Sequence, residues 1–537
     1  MMNFKHGVRS MGSLSKYMVR VVLLGGLIVA AGCAQEEDGA GILLGDDANN
    51  EAYYDEYDDA NNDFGDDDSD GNNDSGVDPD GEAPEPGTQV NPFVDASEDN
   101  LATFSIDVDT ASYTQMRRDV MAGRLTSHFG VRPEEYVNFF KYDYEAPGPD
   151  SLEPFSIHLE SAPSRFGENL QLLRVGIKGM EIPEEERAPT NLVFLVDVSG
   201  SMAYNMGLLK YSLQTLTNAL RPQDTLSIVT YAGADRVVLE PTPVGDRATV
   251  LEAIEQLRSG GGTNGAAGIT TAYELAQGAF VEGGVNRVVL CTDGDFNVGV
   301  TGEALIQTVE SWRDRDITLS VLGFGHSSFN DSFLEELTNR GNGNYAFIDN
   351  RNEALRVLSQ NLVGTLQVIA KDVKIQVQLN PEVVARYRLI GYDNRVLNDE
   401  DFEDDSVDAG EIGSGHSVTA YLEVELLEGV TPGMQAGRLA DVHIRYKKPD
   451  QDISAEVTRG LDLSAAHADL AAASADFRFG AAVTEFAEIL RQSPHSEGRR
   501  FDDVHDMALE ALGSEPDSDR GELLELVVMA RDLMGAE

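Results

Sequence analysis

Five oxygen-bearing side chains form a set able to hold a hard cation. Asp197, Ser199 and Ser201 lie in the run Asp197-Val198-Ser199-Gly200-Ser201, Thr263 follows Gly260-Gly261-Gly262, and Asp293 lies in Thr292-Asp293-Gly294-Asp295. All five offer hydroxyl or carboxylate oxygen, with no imidazole or thiolate among them. Such a donor set selects magnesium, manganese or calcium over softer metals. The 2 cysteines, Cys33 and Cys291, exclude a disulfide scaffold and a multi-cysteine zinc or iron–sulfur site. Neither a P-loop nor an H-E-x-x-H run is present, so no nucleotide site and no zinc-protease site is expected.

The elements around these runs explain how they could meet. Asn191 to Asp197 (NLVFLVD) is a continuous apolar run of the kind buried on both faces of a sheet, and Arg287 to Thr292 (RVVLCT) is a second. Helix-period segments alternate with strands across 189–366: Met206–Leu220, Thr249–Leu257, Gly268–Phe280, Glu303–Arg313, Ser332–Asn339 and Glu353–Thr365, with strands at Thr225–Tyr231, Thr318–Gly323 and Tyr345–Ile348. This predicts an α/β unit, a doubly wound, mostly parallel sheet covered by helices on both sides. In such a sheet the loops at the carboxyl ends of the strands form the binding crevice, which brings Asp197, Ser199, Ser201, Thr263 and Asp293 toward one point.

The flanks read differently. Residues 91–188 hold a helical patch at Tyr113–Arg124, a Pro-initiated helix in VRPEEYVNFF, and two strand-like runs at Pro154–Glu160 and Leu170–Ile177. Residues 367–460 switch to strand alternation, as in Val373 to Leu379, Val418 to Leu426 and Leu439 to Tyr446, and read as a β-sandwich piece. Residues 461–537 are Ala-, Leu- and Glu-rich and helical. Too few strands stand on either side of the α/β unit for a stable sandwich, so the two sets are expected to pair with each other, with the α/β domain inserted between them.

D-x-S-x-S, a Gly-rich loop with Thr, and T-D-G, in that order, resemble the metal-ion-dependent adhesion site (MIDAS) of von Willebrand factor type A (VWA) domains. The resemblance extends to the flanks. FSIDVDTASY (104–113), VRPEEYVNFF, LIGYDNR (389–395), DAGEIGSGH (408–416) and DFRFGAAVTEFAEIL are similar to segments of a group of bacterial VWA lipoproteins. The resemblance implies that Ser199, Ser201 and Thr263 donate neutral oxygens to a divalent ion, magnesium first. It also implies that Asp197 and Asp293 act through water or as nearby charge, and that one coordination position stays open for an Asp or Glu of a protein partner. Binding rather than catalysis is then expected. A metal-dependent hydrolase is the less favoured reading, because no general base stands out.

The chain begins with a basic stretch, Lys5, Arg9, Lys16 and Arg20, and an apolar run of 11 residues, Val21 to Ala31. That run is short for a spanning helix, which needs about 20 residues. Ala30-Ala31-Gly32-Cys33 resembles a bacterial lipobox, with Ala30 where that pattern favours Leu, and makes Cys33 the expected lipidation site. Residues 34–90 contain 20 Asp and Glu and no Lys or Arg, and read as a disordered acidic tether. The expected placement is a bacterial envelope lipoprotein, held to a membrane by its lipid and facing the periplasm or the surface. The net charge of -53 disfavours nucleic-acid binding. A structural or calcium-responsive envelope role is the alternative, with the acidic stretch Asp399–Asp408 as a further calcium candidate. Cys291 is expected to be a core residue. His326 and His416 are expected to be loop histidines, and Asp295 and Asn297 rim or turn residues.

Overall fold

A computed structural model describes residues 90–537 apart from 107–108, 149, 168, 262–264, 295–301, 326–330, 362–363, 365, 408, 435, 450, 452, 513–517 and 536–537. The signal-like segment, Cys33 and the acidic segment lie outside the described residues, as do Thr263, Asp295, Asn297 and His326. No helix among the described residues is long and apolar enough to cross a membrane.

The chain first lays down β1 (Val94–Asp95), β2 (Leu101–Ser105), α1 (Ala111–Met121) and α2 (Pro133–Phe139), then the hairpin β3 (Phe155–Pro163) and β4 (Leu170–Gly179). It next builds β5 (Thr190–Asp197), α3 (Met206–Ala219), β6 (Thr225–Tyr231), β7 (Asp235–Pro243), α4 (Arg247–Gln256), α5 (Gly265–Gly278) and β8 (Val285–Thr292). The same unit continues with α6 (Gly302–Arg313), β9 (Thr318–Gly323), α7 (Asp331–Arg340), β10 (Tyr345–Phe347) and α8 (Arg351–Leu355). One π-helical turn, Arg356–Gln360, follows α8.

The sheet of this unit has 6 strands in the order β10-β9-β8-β5-β6-β7. All neighbours are parallel except β6 and β7. Strand β5 is apolar without alternation because both faces are covered: Leu192, Phe194 and Val196 pack into one layer, and Val193 and Leu195 into the other. The antiparallel edge β7 carries no strong signal in the sequence, since it is half-exposed and ends in Pro241 and Pro243. The segment 353–365, read as one helix, is helical over 353–360, but changes from the short α8 to a wider π turn at Arg356. Asn350 caps α8 by accepting from the Glu353 N–H at 3.0 Å, and the wider turn sets Arg356 against both Glu353 and Thr110.

The rest of the chain adds β11 (Val368–Leu379), β12 (Val384–Ile390), β13 (Gly410–Gly413), β14 (Ser417–Leu426), β15 (Arg438–Lys447) and β16 (Ser454–Asp462). Helices α9 (Ala475–Leu490), α10 (Phe501–Ala511) and α11 (Asp519–Met534) close it. The first flanking sheet has the order β1-β12-β14-β4-β3. In it β4, from before the α/β unit, pairs along its length with β14, from after it, from Leu170↔Glu425 to Lys178↔Ser417. The second sheet runs β13-β11-β15-β16, and β2 also pairs with β11. The strands on the two sides of the α/β unit therefore complete each other's sheets, as their number requires.

Alternation sets the layers. Val418, Ala420, Leu422 and Val424 of β14 meet Val373, Ile375 and Val377 of β11 between the two sheets. The opposite face of β14 presents Tyr421, which packs on Phe477 of α9 and donates its hydroxyl to the Phe477 carbonyl at 3.0 Å. The cluster around Tyr421 also takes in Tyr113 of α1, Phe139 of α2 and Phe486 of α9. Charged groups inside this layer are paired: Arg388 on β12 meets Glu423 at 2.7 Å and Glu488 at 3.0 Å, and all three are fully buried. Arg117 of α1 ties the flanks to the α/β unit through Asp349 at 2.6 Å and Glu353 at 3.1 Å, and reaches Glu522 of α11 at 3.1 Å.

Candidate metal centre

Strands β5 and β8 lie side by side, with Val196 opposite Cys291, so Asp197 and Asp293 emerge at the same carboxyl edge. Asp197 is fully buried. Its Oδ1 accepts from the Ser199 backbone N–H at 2.7 Å, which folds the chain into a tight turn directly after the strand. Its Oδ2 accepts from the Tyr231 hydroxyl at 3.2 Å. The turn sets Ser199 Oγ 2.9 Å from Ser201 Oγ. Ser199 is buried and Ser201 is exposed, so the hydroxyl pair spans the boundary between interior and solvent.

The glycine loop joins the same spot through its backbone. Gly200 N–H donates to the Gly261 carbonyl at 3.3 Å, and Gly260 N–H donates to the Val198 carbonyl at 2.7 Å. Gly261 has φ +107, a conformation that side chains oppose, which is why glycine stands there. Thr263, two residues on, lies outside the described residues. Four of the five residues singled out by sequence thus stand on one edge, and the backbone that leads to the fifth is hydrogen-bonded to that edge.

Electrostatically the edge is acidic and incompletely satisfied. Burial raises the Asp197 carboxyl above the ordinary carboxylate range, and the Asp293 charge adds to the rise, while the Ser199 and Tyr231 hydrogen bonds oppose it. Asp293 is buried, and its Oδ1 has no hydrogen-bond partner. Among the described residues neither carboxylate forms an ion pair. Two buried carboxylates, an orphaned carboxylate oxygen and a pair of convergent hydroxyls fit a hard divalent cation, which would neutralise the charge and satisfy the oxygen. No three His, Cys, Asp or Glu side chains gather among the described residues, and the donors on this edge are hydroxyl and carboxylate.

Two supports of the site are not apparent in the sequence. Tyr231 reaches Asp197 from the end of β6, and only the strand order shows that these residues are neighbours. Gly325 backs Asp293: a Cβ placed there would stand 3.2 Å from the Asp293 Cβ. Its carbonyl accepts from Arg118 of α1 at 3.3 Å, so the N-terminal flank braces the loops of the α/β unit.

The remaining candidates are structural. Cys291 is fully buried, and burial pushes its thiol up, away from nucleophilic use. In the acidic stretch from Asp399, two of the acidic residues are held by other side chains of the same chain. Asp399 accepts from Thr103 at 2.6 Å, and Asp405 pairs with Arg445 at 3.0 Å and accepts from Lys447 through its carbonyl at 2.9 Å. His416 lies in the loop between β13 and β14, as expected, and its ring lines a cavity.

The comparisons with known proteins agree with this architecture. The model described as von Willebrand factor type A domain matches residues 191–361, the one described as von Willebrand factor matches 86–174, and the one described as Uncharacterized protein YfbK, C-terminal matches 364–533. The α/β unit is therefore a VWA domain. The chain is 37% identical over 462 residues to Uncharacterized protein YfbK of Escherichia coli, covering 82% of this chain and 80% of that protein. It belongs to the YfbK family. It is also 28% identical over 287 residues to Uncharacterized protein sll0103 of Synechocystis, covering 52% of this chain and 66% of that protein. A solved structure, von Willebrand factor type A from Catenulispora acidiphila, aligns with a TM-score of 0.42 at 15% identity, covering 73% of this chain and 98% of that chain.

Proposed function

We propose that this chain is a metal-dependent protein-binding module that captures an Asp or Glu side chain of a partner protein through a divalent ion, magnesium first, with manganese or calcium as substitutes. Ser199 and Ser201 hold the ion with Thr263, and Asp197 and Asp293 supply the balancing negative charge from behind. The ion supplies an electrophilic open position for an incoming carboxylate. The observation that carries this reading is the Ser199–Ser201 hydroxyl pair, 2.9 Å apart, on the same edge as the partnerless Oδ1 of Asp293. In this reading the function is binding: the described groups here orient oxygens and hold charge. The same proposal puts the module on the bacterial envelope, lipidated at Cys33 and extended on the acidic segment 34–90. An adhesive or scaffolding role follows.

The test is affinity capture from native membranes with the full chain as bait, in magnesium and then in chelator. Partners held in magnesium and released by chelator, and lost with Ser199→Ala and Asp293→Ala while both variants melt cooperatively, support the reading. Capture that is the same in chelator overturns it.

A further inference from the structure

Beneath the VWA sheet lies a cavity of about 550 Å³ between the sheet, the π turn and the flanking β-sheets. It is far from the candidate metal edge. Leu192 on its wall is five residues before Asp197 on the same strand, roughly 16 Å at the rise of a β-strand. Its size falls in the range of small-molecule pockets, about 300–1,000 Å³.

The wall has two characters. The inner part is apolar and buried, formed by Leu192, Leu216, Leu322 and Leu358. The polar part carries Lys141, Lys178, Arg287, Arg356 and His416, with Glu181 the one carboxylate among the described lining residues and Glu353 and Glu411 acting on Arg356 and Arg287 from behind the wall. In a chain of net charge -53 this is a local inversion of sign. Two of the cations are occupied by the protein: Arg356 is bound to Glu353 and Thr110, and Arg287 to Thr318 and Asn344. Lys178 and Lys141 are less committed. Lys178 Nζ donates to the Gly415 carbonyl and stands 3.9 Å from Glu181, whose side chain is 71% exposed. An ammonium has three donors, so Lys178 keeps capacity toward the cavity. Lys141 is exposed at the rim.

His416 reports the potential inside. Its ring is pushed down to about 4, first by burial and then by Lys178, Lys141 and Arg356. Gly364 leaves room for that ring, since a Cβ there would stand 2.4 Å from its Nε2. Burial likewise lowers Lys178. Keeping ammonium groups on a half-enclosed wall with so little opposing charge is unfavourable unless an anion joins them.

We propose that this cavity binds a small amphiphilic anion, with a carboxylate or phosphate head on Lys178 and Lys141 and an apolar body against the leucines. The site is separate from the metal edge and does not depend on it. The test is isothermal titration of the full chain with decanoate, decyl phosphate, inorganic phosphate and decanol, below micellar concentrations and in chelator. Saturable 1:1 binding of decanoate or decyl phosphate is expected, and the tighter of the two identifies the head group. Inorganic phosphate and decanol should bind at least ~10-fold more weakly, one lacking the body and the other the charge. Lys178→Met should weaken binding ~10-fold at an unchanged melting temperature, and Gln360→Trp, which crowds the cavity from its exposed rim, should weaken it independently. No saturable binding of either anion, equal affinity for decanol, or affinity unchanged in Lys178→Met would overturn the proposal.

Discussion

At the residue scale, the candidate centre is a problem of unsatisfied charge. Asp197 and Asp293 are buried on neighbouring strand ends, and burial together with the Asp293 charge raises the cost of ionising Asp197. A cation reverses the sign of that interaction. In chelator, Asp293→Asn should melt at or above the parent temperature, because one of two like charges is gone. In millimolar magnesium the order should invert, with the parent gaining several degrees and the variant little, read by differential scanning fluorimetry. Ser199→Ala should likewise lose the magnesium-dependent gain while keeping the parent melting temperature in chelator. These residues were legible in the sequence because Asp197, Ser199 and Ser201 are local to one turn, and their hydrogen bonds span only two residues. Tyr231 was not, because its bond to Asp197 crosses 34 residues and depends on which strand lies beside β5.

At the scale of elements, long apolar runs announced themselves as strands, and two strands broken by charged residues did not. β5 and β8 are long apolar runs, whereas β12 and β16 are interrupted by Arg386, Arg388, Glu456 and Arg459. Those interruptions have different meanings. Glu456 and Arg459 are exposed, while Arg388 points into the layer between β12 and α9 and is fully buried between Glu423 and Glu488. From sequence alone a buried Arg in a strand looks like a solvent-facing one, so the link between α9 and the first sheet was not legible. Removing one member of a buried ion network leaves uncompensated charge, which costs about 3–5 kcal/mol. Arg388→Leu should therefore destabilise the chain by roughly that amount in urea unfolding. The double variant Arg388→Leu with Glu423→Leu should recover part of the loss.

At the scale of the whole molecule, the cavity histidine gives a signature of intact packing. The folded value for His416, about 4, lies below its ordinary 6.5, so the unfolded chain binds the extra proton. The contribution is complete above about pH 6.5 and is lost as the pH falls toward 4, by up to about 3 kcal/mol. The charges facing the ring are Lys178, Lys141 and Arg356. His416→Gln should flatten the pH dependence of stability across that interval, measured by urea midpoints at pH 4.5 and 7. The insertion itself was legible, because neither flank had strands enough to stand alone. How its two crossings are fastened was not. Ala188 N–H, just before β5, donates to the Gln367 side-chain carbonyl, just before β11, at 3.0 Å, so the strands that enter and leave the VWA domain are clasped together. A force applied to the VWA domain would then leave it along the chain at this clasped crossing, and sideways through the contacts of Arg117 and Arg118 on α1. Beyond the crossing the entering strand β4 is held lengthwise on β14 by nine antiparallel residue pairs, and the leaving strand β11 is held on β15 and β2, so each end is loaded along a ladder rather than peeled from an edge.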